Sequence, residues 1–308
     1  CGSIAWACCS TLRRTGGRDT QGGPQGLPSD SATTMEKTVP KVKGPPMTYE
    51  RELENAIRIA RKAGELALRY YNLDTPAEEK ADLSPVTAAD RESEKLICGM
   101  LQEEFPDDGI LGEEGADIPS RSGRRWLIDP IDGTRDFVRR IPFWSVQLAL
   151  QIGDRVVLGI IYCPGTNEML HAVDGQGCYL NDARVSASAI SRLDKSVLMV
   201  SGFKAAWTSW PAEGVRHLTE TCWTVRCYGG CYDVIMLARG KGEIWLSGSG
   251  MEWDYAPVQV IARECGGHFL TREGNDRIDA RHCMVCAPGI ESELRRVLGI
   301  MQDTGSRS

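Results

Sequence analysis

Two periods of apolar spacing run along this chain. Leu53, Ile57, Ala60, Gly64, Ala67 and Tyr71 recur at intervals of three and four with charged residues between them. That spacing predicts an amphipathic helix over 49–71, ended by the stretch from Asn72 to Pro76. Pro85 holds the backbone before it extended. Thr87 is a natural N-cap, with Asp90 in the first turn of a second helix whose apolar face is Leu96, Ile97, Met100, Leu101 and Phe105. Ile110-Leu111 and Trp126-Leu127-Ile128 read as short buried strands. Beyond Phe137 the period drops to two. A β meander is expected over 143–152, 155–163 and 168–173, with turns at Gly153-Asp154 and Pro164-Gly165, followed by a hairpin around Asn181-Asp182 and a strand over 196–200. The stretch 204–210 carries aromatic residues but no pattern. Helices are expected over 213–221 and 232–238, and strands over 242–246 and 282–287. An apolar helix opens at Met251 to Pro257 and is stopped by Gly266-Gly267. A last helix covers 290–298. No internal repeat is present.

Composition narrows the class. The chain has 308 residues, enough for one large domain or two packed lobes, and is 42% hydrophobic and 25% charged, as globular proteins are. A formal charge of −6 argues against broad nucleic-acid binding. No apolar run is long enough to span a bilayer, so no membrane partner is expected. Most of the 12 cysteines lie in apolar stretches, as Cys98, Cys163 and Cys265 do. Buried free thiols fit a reducing compartment, and a cytoplasmic location is expected. Cys283-Met284-Val285-Cys286 lacks a second pair, and Cys222, Cys227 and Cys231 lack a following His pair, so zinc is not expected. Residues 1–46 read as a disordered tail rich in Gly, Pro, Ser and Thr, with Met35 and Met47 as candidate starts. Cys1-Gly2-Ser3 is what a processed lipoprotein would begin with, but no signal segment accompanies it. Residues 301–308 form a second tail.

The candidate chemistry centres on Asp129-Pro130-Ile131-Asp132-Gly133-Thr134-Arg135-Asp136-Phe137. Two carboxylates at a strand end offer the oxygens that hard divalent cations such as Mg²⁺ take. Gly133 lets the backbone approach a ligand, and a helix starting near Thr134 would turn its free N–H groups toward an anion. An ordinary strand–turn–helix corner explains the same residues. Asp90 and Asp254 each read as helix-capping acids, and Gly112-Glu113-Glu114-Gly115 as a solvated loop.

Taken in order, however, Ser84-Pro85-Val86-Thr87 with Asp90, then Gly112-Glu113-Glu114, then Asp129 to Phe137, then Trp253-Asp254 before an apolar helix and Gly266-Gly267 form one pattern. It resembles the inositol monophosphatase superfamily of Mg²⁺-dependent, lithium-sensitive phosphatases, over about residues 47–300. The resemblance implies a layered αβαβα sandwich of the α/β (α+β) class, with a mostly antiparallel N-terminal sheet and a smaller C-terminal sheet. It divides the chain into a metal-binding lobe at 47–190 and a second lobe at 191–300. It implies that Glu113, Asp129 and the Ile131 carbonyl hold one Mg²⁺, and that Asp129, Asp132 and Asp254 hold another. Glu114 and Asp90 would stand behind them or touch a further ion. Thr134, bonded to Asp90, would orient the attacking water. The N–H groups of Gly133 and Thr134 would grip the phosphate, and Lys80 matches a basic residue near the metal mouth. The partner so implied is a small phosphorylated metabolite; members are commonly homodimers.

Two positions depart from the family pattern. Asp136 stands where Asn is usual. Ser247 replaces an acid with which inositol-specific members hold ring hydroxyls. The loop from Arg226 to Tyr232 is similar to that of histidinol-phosphate phosphatases, except that Gly230 replaces an Asp. Asp136 and Met251 to Asp254 are similar to the bisphosphate nucleotidases. The expected activity is hydrolysis of inositol monophosphate or histidinol phosphate. The alternatives are a 3′(2′),5′-bisphosphate nucleotidase, a fructose-1,6-bisphosphatase, and a non-catalytic phosphate-ligand-binding regulator on the same fold. Retention of all the acids and of Thr134 favours an enzyme.

Overall fold

The computed structural model describes residues 48–73, 78–79 and 85–300. Both predicted tails and Lys80 lie outside the described residues.

Helix α1 (Glu50–Asn72) buries Ala56, Ile59, Ala60, Ala63, Gly64 and Ala67 along one stripe. A short ladder of β1 (Glu78–Glu79) and β2 (Pro85–Val86) follows, then α2 (Ala88–Glu104). Thr87 caps α2 as expected: its hydroxyl accepts from Ala89 N, while Asp90 accepts from Thr87 N. Next come β3 (Gly109–Gly112), β4 (Asp117–Ile118), β5 (Arg124–Asp132), the one-turn helix α3 (Thr134–Val138), β6 (Ser145–Ile152), β7 (Arg155–Cys163), β8 (Glu168–Val173), β9 (Gly177–Leu180) and β10 (Ala183–Val185). These strands form a sheet in the order β10-β9-β8-β7-β6-β5-β3-β4, in which only the β3–β5 pairing is parallel. The C-terminal part contains β11 (Val197–Ser201), α4 (Phe203–Ser209), α5 (Ala212–Thr221), β12 (Thr224–Arg226), α6 (Gly230–Ala238), β13 (Ile244–Ser247), α7 (Glu252–Glu264), β14 (His268–Leu270), β15 (Cys283–Cys286) and α8 (Glu291–Leu298). Its five strands order as β12-β11-β13-β15-β14, with the first three parallel and the last two antiparallel to their neighbours.

The period of two in the strands builds the layers. On β5, Trp126 and Ile128 pack with Ile59, Ile97 and Leu101 of the first two helices. Leu127 points the other way, into a core shared with Val258, Val260 and Ile261 of α7, Val234 and Leu237 of α6, and Met199, Trp245 and Val285 of the small sheet. The opposite face of that small sheet, with Leu198, Val200, Leu246 and Met284, is covered by Val215, Leu218, Leu294 and Leu298 of α5 and α8. The layers therefore run helix, sheet, helix, sheet, helix. Gly159 lets the middle helix close on the large sheet: a Cβ there would stand 2.7 Å from Pro257 Cα.

Some elements differ from expectation. The strand at Trp126 is not short; it runs nine residues and carries Asp129 and Asp132 inside the sheet. A β-bulge between them shifts the register, Asp129 pairing with Gln147 and Asp132 with Ser145. The next strand starts at Ser145 rather than Phe143. Helix α4 occupies the stretch that showed no pattern, because its large residues are inverted: Phe203 and Trp207 are exposed while Ala206 is buried. Strands β1, β2, β4, β12 and β14 are two or three residues long, too short for any period to register. The CxxC cysteines face different cores, Cys283 the middle layer and Cys286 the outer one, which is why this pair forms no joint site.

Candidate active site

The bulge in β5 brings two carboxylates to one edge of a cavity of about 390 Å³. Asp129 is buried, and its Oδ1 accepts from Ile131 N at 2.9 Å, which closes the turn around Pro130. Asp132 Oδ2 accepts from Cys231 N at 3.1 Å, in the first turn of α6. The third carboxylate comes from the far end of the chain. Asp254 sits in the first turn of α7, and its Oδ2 accepts from Met251 N at 2.7 Å. The capping role expected of it is real, yet capping does not exhaust it. Packing of α7 against the large sheet places a carboxylate oxygen from each of Asp129, Asp132 and Asp254 within 4.8 Å of the others.

The other residues flagged in the sequence surround this group. Glu113, Ile131, Gly133 and Thr134 line the same cavity. Gly133 adopts φ +85° as the N-cap of α3, and a Cβ there would meet Phe143 O at 3.2 Å. The Thr134 hydroxyl lies 3.3 Å from Asp90 Oδ1 and 3.2 Å from the Ile131 carbonyl, able to donate to either. Asp90 Oδ2 is occupied by Thr87 N at 2.8 Å and Thr87 Oγ1 at 2.5 Å. Glu114 stands on the Asp90 side, where its charge acts on Asp90 and Glu94.

Burial and crowding push these acids up. Burial comes first for Asp129, followed by the charges of Glu113, Asp254 and Asp132, and its carboxyl is held well above the ordinary range. Asp254 rises to about 7 by burial and the charge of Asp132. Asp132 is raised by burial, against hydrogen bonds from Cys231 and Gln147. Asp90 rises to about 6, by burial first and then by the charges of Glu114 and Glu113. Arg135 is the cation of the lining, and it is exposed. Oxygen donors at this spacing, with Asp129 raised by the charges of Asp254 and Asp132, are a donor set for hard divalent cations. The residues present fit such an ion.

A model of the inositol monophosphatase family matches residues 49–301. The chain belongs to the inositol monophosphatase family. A histidinol-phosphatase from Chlorobaculum parvum is 36% identical over 228 residues, covering 74% of this chain and 88% of that protein. Nus factor SuhB from Escherichia coli is 31% identical over 223 residues, covering 70% and 83%. Among solved structures, extragenic suppressor protein suhB from Bartonella henselae superposes with a TM-score of 0.76 at 28% identity, covering 80% of this chain and 98% of that one.

In this member of the inositol monophosphatase family, four supporting residues escaped the reading of the sequence. Glu94 accepts from Glu114 N at 2.7 Å and Ala116 N at 2.9 Å, and so holds the Glu113-Glu114 turn in place. Its signal was position, one helical turn after Asp90 on the same face. Asp233 is fully buried and accepts from Tyr228 N and Ser201 Oγ, which fixes the loop before α6. An acid inside the apolar run of α6 was the available hint. Gln147 and Cys231 support Asp132 through pairings that no local pattern reveals. Ser247, where inositol-specific members carry an acid, lines the cavity, but its hydroxyl is paired with Tyr255 Oη at 2.9 Å.

Proposed function

We propose that this protein is a Mg²⁺-dependent phosphomonoesterase whose substrate is histidinol phosphate. The observation that carries the reading is the convergence of Asp129, Asp132 and Asp254 beside the Thr134–Asp90 pair on one cavity. Glu113, Asp129, Asp132, Asp254 and the Ile131 carbonyl are the residues that would hold Mg²⁺. Divalent cations in such a site neutralise the charge of a phosphate dianion and acidify a water.

The chain's own groups supply position and proton handling. The Thr134 hydroxyl proton is directed to Asp90 Oδ1 or the Ile131 carbonyl, which leaves a lone pair of Oγ1 to accept from an attacking water. Asp90, whose carboxyl is raised to about 6 mainly by burial, is suited to accept the proton that the water gives up, passed on through the Thr134 hydroxyl. In α3 the N–H groups of Asp136 and Phe137 already donate to the Gly133 carbonyl, but those of Gly133 and Thr134 precede that pairing and face the cavity end of the helix, which supports a phosphate-gripping role for them. No side chain need form a covalent bond to phosphorus.

Two observations favour histidinol phosphate over inositol monophosphate. The relative from Chlorobaculum parvum is a histidinol-phosphatase. Ser247 offers no carboxylate to ring hydroxyls, and its own hydroxyl is engaged. A regulatory, non-catalytic role has the Nus factor relative in its favour. The test is phosphate release from histidinol phosphate and inositol 1-phosphate, with Mg²⁺ and with EDTA. The reading expects Mg²⁺-dependent release, faster with histidinol phosphate. Absence of release from both would overturn it in favour of the regulatory role.

A further inference from the structure

The Asp136 carboxylate is the acid of the cavity that the reaction leaves unused. It lines the cavity and is partly buried, and among the described residues its carboxylate has no hydrogen-bond or ion-pair partner. Its carboxyl is raised above the usual range, with burial as the cause. It stands outside the three-carboxylate group of Asp129, Asp132 and Asp254. Its place is nevertheless well defined. A Cβ on Gly229 would lie 2.8 Å from Asp136 Oδ2, and a Cβ on the next residue, Gly230, would lie 2.8 Å from Asp132 Oδ2. The two carboxylates therefore stand side by side beneath one glycine pair, and Asp136 is near enough to raise Asp132. The wall behind Gly229 is aromatic: Phe143 stacks on Tyr232 with centroids 4.5 Å apart, and Tyr228 packs edge-on to both.

A half-buried carboxylate that faces a cavity with no donor among the described residues is solvated by water, and a cationic ligand that replaces that water gains a charge-assisted hydrogen bond. Arg135 precedes it on the same helix turn, and neighbouring residues on a helix do not face each other. Among the described residues no cation pairs with Asp136, so a cationic group carried by the substrate would find its partner here, close to the ester, because Asp136 adjoins Asp132. We propose that Asp136 is a specificity-determining residue that selects phosphate monoesters of 2-amino alcohols by pairing with the ammonium group next to the ester carbon. The inference rests on the phosphomonoesterase reading and names the substrate class of that same cavity. Histidinol phosphate belongs to the class; inositol phosphates do not. The glycines at 229 and 230 leave room for that ammonium where any side chain would press on Asp136 or Asp132.

The experiment compares calorimetric binding of histidinol phosphate with that of imidazole-propanol phosphate, its analogue lacking the amine, in the presence of Ca²⁺, for the wild-type protein and for Asp136→Asn. The wild type is expected to prefer the amine by roughly tenfold or more, and Asp136→Asn to bind both alike. Equal binding of the two esters by the wild type overturns the inference whatever the variant does, and so does an unchanged preference in Asp136→Asn. Phosphate release with Mg²⁺ is measured alongside. Release without an amine preference sinks the role of Asp136 alone, whereas failure of both esters to bind sinks the phosphatase reading with it.

Discussion

Asp254→Asn removes one of three carboxylates whose oxygens crowd within 4.8 Å, and its effect on the metal-free protein can be worked out. At an effective dielectric constant near 20, two unit charges at that separation repel by about 3.5 kcal/mol. Each carboxylate takes part in two of the three pairs, so full ionisation would be severe, and the protein relieves it by holding protons. Asp254 accordingly rises from 3.8 to about 7. A folded-state value above the unfolded one means that the site is most stable below about pH 4 and loses stability as the pH rises through 7. The ceiling on that loss is about 4 kcal/mol for this one group, and relaxation and water reduce it to on the order of 2 kcal/mol. Asn keeps an oxygen for the Met251 N–H and carries no charge. In EDTA at about pH 8, Asp254→Asn should therefore melt higher than the wild type, by roughly 2–4 °C for each kcal/mol recovered. Near pH 4, where Asp254 is protonated in both the folded and the unfolded state for much of the time, the two should converge. Saturating Mg²⁺ should reverse the order, because only the wild type retains the full donor set; at 100 times the dissociation constant it gains about 2.7 kcal/mol. Calorimetric melting at both pH values, with and without metal, reads all of this. A wild type that is equally stable at both pH values in EDTA, together with no gain in the variant, would refute the account of the cluster.

Three further outcomes follow from the same geometry. Thr134→Ala and Asp90→Asn should each lower kcat by roughly a hundredfold or more while leaving Mg²⁺-induced stabilisation in place, since neither belongs to the three-carboxylate group; rapid-quench phosphate release checks it, and near-normal turnover would contradict the proposed water-orienting role. Gly230→Ala places a Cβ 2.8 Å from Asp132 Oδ2 at a φ of +23°, so it should cost about 1–2 kcal/mol in a urea titration and weaken Mg²⁺ binding as well. Glu94→Gln leaves one of the N–H groups of Glu114 and Ala116 without its oxygen, for a loss of about 1–3 kcal/mol and faster hydrogen exchange at that amide.

The long elements were legible in the chain because they are half-buried. One face of α1 and α2 meets the large sheet and the other meets water, so the 3.6-residue period is written in residue type. The meander from β6 to β8 was legible through its length and its turns. The acids announced themselves by local chemistry, as caps or turn residues, and their order along the chain was enough for the family. Sequence also flagged Asp136 and Ser247 as departures from that family, and Gly230 as a departure from its histidinol-phosphate phosphatases. What each departure does was decided only in three dimensions. Asp254 reaches Asp129 and Asp132 because α7 packs against the large sheet, with Gly159 allowing the close approach. Ser247 is tied up because Tyr255 lies beneath it, and the glycine pair at 229–230, at the start of α6, is packed against both Asp136 and Asp132. A periodic pattern records which side of an element is buried; it carries no information about which distant element does the burying. The cavity is made of such meetings between distant elements.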